Sequence, residues 1–138
     1  MKYLLDTNIC VHFLRGAYNL DVKLRSVGLE NCFISEITLA ELEYGVENSD
    51  VAFQAKQRKS LQEFSKTFEA LTLPIRSSFT LYAQNRTRLR KIGLSISDFD
   101  LLIGCTAVAH GLIMVTENTS EFSRINRIQL ENWILRSI

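Results

Sequence analysis

The sequence predicts an α/β fold built around a parallel sheet, and three observations lead there. Short apolar runs alternate with longer stretches of helical period. Polar, acid-bearing turns follow several of the apolar runs, as at the carboxyl ends of parallel strands. The six glycines and the single Pro74 are too few to divide the chain with a linker. A chain of 138 residues with 46% hydrophobic content suits one domain, 1–138, with a core of its own. No internal repeat is visible.

In chain order, Tyr3-Leu4-Leu5 reads as a first buried strand, and a helix over 7–15 follows Asp6. A second helix covers 20–27. The run 32–34 reads as a strand leading into helices over 36–46 and 51–67. A strand over 71–73 precedes a helix over 77–92. The helix over 98–109 carries no charge on any face from Leu101 to Ala109, so it is central and buried all round. A strand over 112–115 ends in the polar turn Thr116-Glu117-Asn118, and Trp133 seals a C-terminal strand against the sheet.

The net charge of +1 hides a segregated distribution. Residues 56–91 hold nine Lys or Arg against Glu63 and Glu69, while both flanking segments are acidic. A basic middle between acidic ends suits a protein that handles a polyanion at an acidic, metal-binding centre. The three cysteines are an odd set without a CxxC pair and read as reduced core thiols. His12 and His110 lack a partner at ligand spacing and read as packing or surface residues. Met1-Lys2 runs straight into a strand-like stretch with no leader pattern, and no apolar run is long enough to span a membrane. The expected location is the cytoplasm.

Three acids stand out. Asp6, after the first strand, can be an ordinary helix N-cap or a ligand at a strand's carboxyl end. Glu36, Glu43 and Glu47 share one solvated arc of their helix, whereas Glu41 falls about 140° away, on the apolar side. A buried, unpaired carboxylate must protonate or find a cation, and Gly45 one turn later leaves room beside it. Asp98 and Asp100 both stand in the first turn of the buried helix after Ser97; capping explains one of them better than two. In the turn after the fourth strand, Asn118 and Glu121 are candidates for the same centre, and Glu117 reads as a surface cap for the next short helix. Acids without a His or Cys cluster suit Mg²⁺, with Mn²⁺ as a substitute, more than zinc. Such a centre beside a basic surface fits phosphodiester hydrolysis. Arg86 and Arg90 share one helix face and are candidate RNA contacts, while Arg88 points elsewhere.

Read together, LLDTNICVHFLRG, FISEITLAELEYG, SISDFDLLIGCTAVAHGLIMVTENTSEF and LENWI resemble the PIN-domain nucleases, and more closely the VapC toxins of bacterial toxin–antitoxin pairs. The similarity spans nearly the whole chain in the same order. It implies a PIN-like α/β/α sandwich with a central, mainly parallel sheet. It also implies a Mg²⁺-dependent endoribonuclease, usually dimeric, neutralised by a VapB-type antitoxin whose segment packs over the first helices. By motif, Asp6 and Asp100 match the principal metal-binding aspartates and Glu41 the glutamate of the same pocket, with Thr7 and Asn8 orienting them. Many relatives place an acid where this chain has Asn118, with Glu121 three residues later, so the fourth pocket member is one of these two. The initiator tRNA anticodon loop is the first RNA to consider as substrate. Two other readings share the motifs: a nuclease-inactive partner of a DNA-binding antitoxin in an autoregulated complex, and a DNA nuclease.

Overall fold

Tyr3, Leu4 and Leu5 form the central strand of the sheet, and their side chains alternate between its two faces. The computed structural model describes residues 1–136. Tyr3 and Leu5 enter one core with Ile9, Leu24, Leu42 and Phe64, whereas Leu4 enters the other with Ile37, Leu101, Ile103 and Phe122. A strand buried on both faces needs helices on both, and this produces three layers.

The elements run β1 (Tyr3–Leu5), α1 (Thr7–Leu14), α2 (Leu20–Val27), β2 (Cys32–Ser35), α3 (Glu36–Glu47) and α4 (Val51–Thr67). They continue through β3 (Thr72–Leu73), α5 (Phe79–Lys91), α6 (Asp98–Ala109), β4 (Ile113–Val115), α7 (Thr119–Phe122) and β5 (Gln129–Glu131). The five-stranded sheet has the order β3-β2-β1-β4-β5, parallel throughout, with Tyr3 opposite both Cys32 and Ile113. The chain therefore winds from β1 to β3 on one side and then crosses back to β4 on the other. The switch lies between β1 and β4, where a crevice opens at the carboxyl ends of the strands. Asp6 and Thr116 are the first residues beyond those two ends.

The expected elements are all present with boundaries within two residues, and the stretch 77–92 opens in the short 3-10 turn Arg76–Ser78. The C-terminal strand sits at Gln129–Glu131, just before Trp133. Trp133 is buried, and its ring meets Tyr3 edge-on at 5.0 Å, sealing the start of β1. Side chains cap the helices that border the crevice. Ser35 accepts from the backbone N–H of Ile37 at 3.1 Å, and Ser97 from that of Asp100 at 3.3 Å. All three cysteines are buried free thiols, and burial pushes Cys32 and Cys105 up to about 11, so they are inert packing residues at neutral pH.

Two helical glycines differ in what surrounds them. A Cβ on Gly104, in α6, would lie 2.4 Å from Ile125 and 3.1 Å from Phe122, whereas one on Gly45, in α3, would meet nothing within 4 Å. Gly104→Ala is therefore expected to destabilise the protein by about 1–3 kcal/mol through overpacking. Gly45→Ala should stabilise it by about 0.5–1 kcal/mol through helix propensity. Urea unfolding of both variants checks the pair, and equal effects at the two sites would contradict the packing described for α6.

Candidate active site and metal centre

Asp6 is 3% exposed, although it directly follows the central strand. Its extended backbone makes it the N-cap of α1, and Oδ1 accepts from the Thr7 backbone N–H at 2.8 Å. Oδ2 accepts from the Thr116 hydroxyl at 2.7 Å. Capping and site-building are thus the work of one side chain, with one oxygen for each. Burial raises the Asp6 carboxyl to about 6 against the downward pull of these two bonds, and the charges of Asp100 and Glu41 push it further. Among the described residues no positive side chain pairs with it.

Glu41 is half-buried on the inner side of α3, while Glu36, Glu43 and Glu47 are exposed as the helical wheel predicts. Thr7 donates its hydroxyl to Glu41 Oε1 at 2.6 Å and lies 3.0 Å from the hydroxyl of the buried Thr38. One threonine therefore gives its backbone N–H to Asp6 and its hydroxyl to the glutamate of another helix. Asp100, in the first turn of α6, is also half-buried; burial raises its carboxyl, the Ser97 hydrogen bond lowers it, and the charge of Glu121 raises it again. Asn118 donates to Glu121 at 2.7 Å, so the two candidates for the fourth position form one unit, the amide aiming the carboxylate. The charges of Glu41 and Asp100 thus act on Asp6, and that of Glu121 on Asp100, with the four acids coming from four different parts of the chain.

Among the described residues no three His, Cys, Asp or Glu side chains converge into a ready-made cation cage. They offer an all-oxygen donor set of mutually repelling carboxylates. Asn8 Oδ1, two residues after Asp6, is buried without a hydrogen-bond partner among the described residues, so of the two residues expected to orient the acids only Thr7 holds them by hydrogen bonds. This set fits a hard divalent ion that keeps several of its waters, such as Mg²⁺ or Mn²⁺.

Arg86 and Arg90 line one cleft of about 450 Å³ with Ser97 and Asp98, next to Asp100 in sequence. Arg86 donates to the Tyr82 hydroxyl at 2.6 Å and sits 3.4 Å from Asp98, which itself accepts from Tyr82 at 2.8 Å. Arg88 turns inward, donating to Asn85 at 2.9 Å and to the Arg124 carbonyl. One expectation needs correction. Glu117 caps no helix: it pairs with His12 at 2.8 Å and with Arg136 at 2.7 Å, because the turn after β4 lays its side chain against α1. These partners hold its carboxyl below the ordinary range, Arg136 foremost. His12, read as a packing or surface residue, is partly buried and holds Glu117. Thr116, which the reading by acids passed over, is fully buried and holds both Asp6 and the Asn118 backbone N–H. Its only sequence signal is its place at the strand end in Val-Thr-x-Asn.

Asp6 and Asp100 bind protons more tightly in the folded than in the unfolded chain. Their favourable contribution is therefore full below the unfolded pKa, near 4, and is lost as pH rises through about 6 for Asp6. In EDTA, Asp6→Asn is expected to melt progressively higher than wild type as pH rises from about 4 to about 6, the gap then levelling off. Mg²⁺ should then narrow the gap by stabilising wild type alone. A gap that stays constant across this range would mean that Asp6 is not held as described.

The PIN domain family model matches residues 3–128. Ribonuclease VapC2 of Rickettsia felis is 38% identical over 136 residues, covering 96% of this chain and 98% of the relative. The tRNA(fMet)-specific endonuclease VapC of Shigella flexneri is 30% identical, with 96% and 98% covered. Among solved structures, a chain of Rickettsia felis VapBC2, crystallised on a DNA fragment from its promoter, superposes with a TM-score of 0.85 at 35% identity, covering 96% of this chain and 99% of that one. A chain of DNA-bound VapBC from Salmonella typhimurium gives 0.85 at 30% identity, with 96% and 98% covered. The domain match over nearly the full chain, these relatives and the strand order around Asp6 agree: the chain belongs to the PIN domain family, among its VapC-type members.

Proposed function

We propose that the chain is a divalent-metal-dependent endoribonuclease and the toxin of a toxin–antitoxin pair. The observation that carries this is Asp6: a nearly inaccessible carboxylate at the switch point of the sheet, with the charges of Asp100 and Glu41 acting on it and no positive side chain paired with it among the described residues. Asp6 and Asp100 would hold Mg²⁺ or Mn²⁺, with Glu121, aimed by Asn118, as the fourth pocket member. The bound ion would supply charge against the developing phosphoryl oxyanion and a more acidic water. Thr116 and the Thr7 N–H keep Asp6 in one rotamer, which avoids reordering it during the reaction. Glu41, tied through Oε1 to Thr7, would orient the attacking water and take up its proton. Arg86 and Arg90 would guide the RNA backbone along their cleft toward Asp100. The Shigella flexneri relative is named for tRNA(fMet), which makes that tRNA the first substrate to test.

A VapB-type antitoxin is the expected partner, since the Rickettsia felis and Salmonella typhimurium structures are VapBC complexes. The cleft of about 370 Å³ among α1, α3 and α4 suits its segment: Val11, Leu14, Leu42 and Phe53 supply apolar walls, with Glu41 in the lining. Phe53 is 58% exposed there and Val51 83%, at the open start of α4. Among the described residues no helix is long and apolar enough to cross a membrane. The proposed setting is cytoplasmic RNA, with the chain acting as a homodimer or within a toxin–antitoxin hetero-oligomer. Because both of those complexes were crystallised on DNA, a second role is favoured, as co-repressor within the antitoxin complex. That role does not require cleavage.

Asp6→Asn and Asp100→Asn should leave the fold intact while abolishing Mg²⁺-dependent RNA cleavage and growth arrest, each keeping volume but losing a charge. Glu41→Gln should lose cleavage with a smaller loss of metal affinity. Wild-type protein free of antitoxin should cut RNA in Mg²⁺ and stop in EDTA; undiminished cutting by the Asn variants would refute the assignment. For the cleft, RNA binding is measured in Ca²⁺ over a range of salt. The Arg86→Ala, Arg90→Ala double variant should lower the salt slope by about 0.7 per lost contact, and Arg88→Ala should lower it less. An unchanged slope in the double variant would make that face merely solvated.

A further inference from the structure

Glu117 stands between Thr116 and Asn118, the two side chains that hold Asp6 and Glu121. It is gripped from two directions. His12 Nε2, near the end of α1, donates to Oε1 at 2.8 Å. Arg136, from the segment after β5, donates Nε to Oε2 at 2.7 Å and Nη2 to Oε1 at 3.0 Å, a two-pronged pair. Tyr18 closes the cluster, its ring edge-on to His12 at 4.9 Å and its face 5.4 Å from the Arg136 guanidinium.

The consequence lies in what the neighbours of Glu117 do. Thr116 binds Asp6 at the start of α1, and Glu117 binds His12 toward its end, so adjacent residues of one turn hold the same helix at two points. The Thr116 hydroxyl also accepts from the Asn118 N–H at 2.9 Å, which couples any shift of the turn to the aim of Asn118 on Glu121. Arg136 is 59% exposed, so its pair with Glu117 contributes little to stability. Its leverage is geometric: a loop has few other restraints, and the acids on either side of it must keep their spacing to share an ion.

We propose that Glu117 is a positioning residue: locked between His12 and Arg136, it fixes the turn after β4 so that Thr116 keeps its hold on Asp6 and Asn118 on Glu121. This rests on the reading of Asp6, Asp100 and Glu121 as metal-binding acids. The test uses full-length wild type, Glu117→Ala, Glu117→Gln, Arg136→Ala and Arg136→Lys. Mn²⁺ affinity is measured by calorimetry without RNA, RNA cleavage is resolved into kcat and KM, and melting is followed in parallel. Glu117→Ala should weaken Mn²⁺ binding and lower kcat by about tenfold, with KM for RNA and the melting temperature near wild type. Arg136→Ala should act in the same direction but less, Glu117→Gln should fall between wild type and Glu117→Ala, and Arg136→Lys should restore most of the loss. Should Glu117→Ala not fold, Arg136→Ala decides, since it trims only an exposed side chain. Wild-type Mn²⁺ affinity and kcat in both alanine variants, or in Arg136→Ala where it decides, would overturn the role of Glu117 while leaving the metal centre standing. A wild-type protein that neither binds Mn²⁺ nor cuts RNA would overturn the metal reading and this inference together.

Discussion

A carboxylate held at the end of the central strand by two hydrogen bonds, with no cation among its described partners, is the constraint on which this molecule is organised. Asp6 lies almost out of contact with solvent, and a buried ionised acid is costly unless something compensates it. The Thr7 N–H and the Thr116 hydroxyl compensate in part; Asp100 and Glu41 act in the opposite sense. The structure therefore keeps a site of unrelieved negative charge where a parallel sheet offers its crevice. Strain of this kind is retained where function uses it, which is why Asp6 carries the functional reading.

The sheet order makes this arrangement possible. With β1 in the middle and the chain crossing from β3 to β4, the start of α1 and the turn after β4 come side by side. Thr7 then spans from that junction to α3, and Ser97 sets the first turn of α6. Short hydroxyl side chains do the joining. They suit it because they can donate to a carboxylate and accept from a backbone N–H at once, as Thr116 does.

The basic middle of the chain shows where composition overstates. Nine Lys or Arg against two acids between 56 and 91 implied a broad positive surface. In the fold, Arg58 is taken up by Glu43 and Glu47 and Arg88 by Asn85 and a backbone carbonyl, while Arg86, beside Tyr82 and Asp98, stays exposed. Segments that look unbalanced in sequence neutralise one another across helix contacts, because α3 packs on α4 and the start of α6 lies near α5. The charge left free is smaller than the count suggests, and Arg90, exposed on the cleft it shares with Arg86, is part of it.

Hydrophobic period and capping residues were enough to set the elements, since strands buried on both faces and an uncharged central helix leave few alternatives. The same reasoning found Glu41, because a helical wheel is a local object and shows at once which acid faces inward. It also found Asp6 and Asp100 as acids at element ends. It could not find Thr116, whose partner Asp6 is 110 residues away, or the pairing of Glu117 with His12 and Arg136. Those depend on which strand ends the sheet brings together. Periodicity reports how each segment meets the core; only tertiary structure decides which polar side chains share a crevice, because that depends on strand order and register rather than on any segment's own pattern.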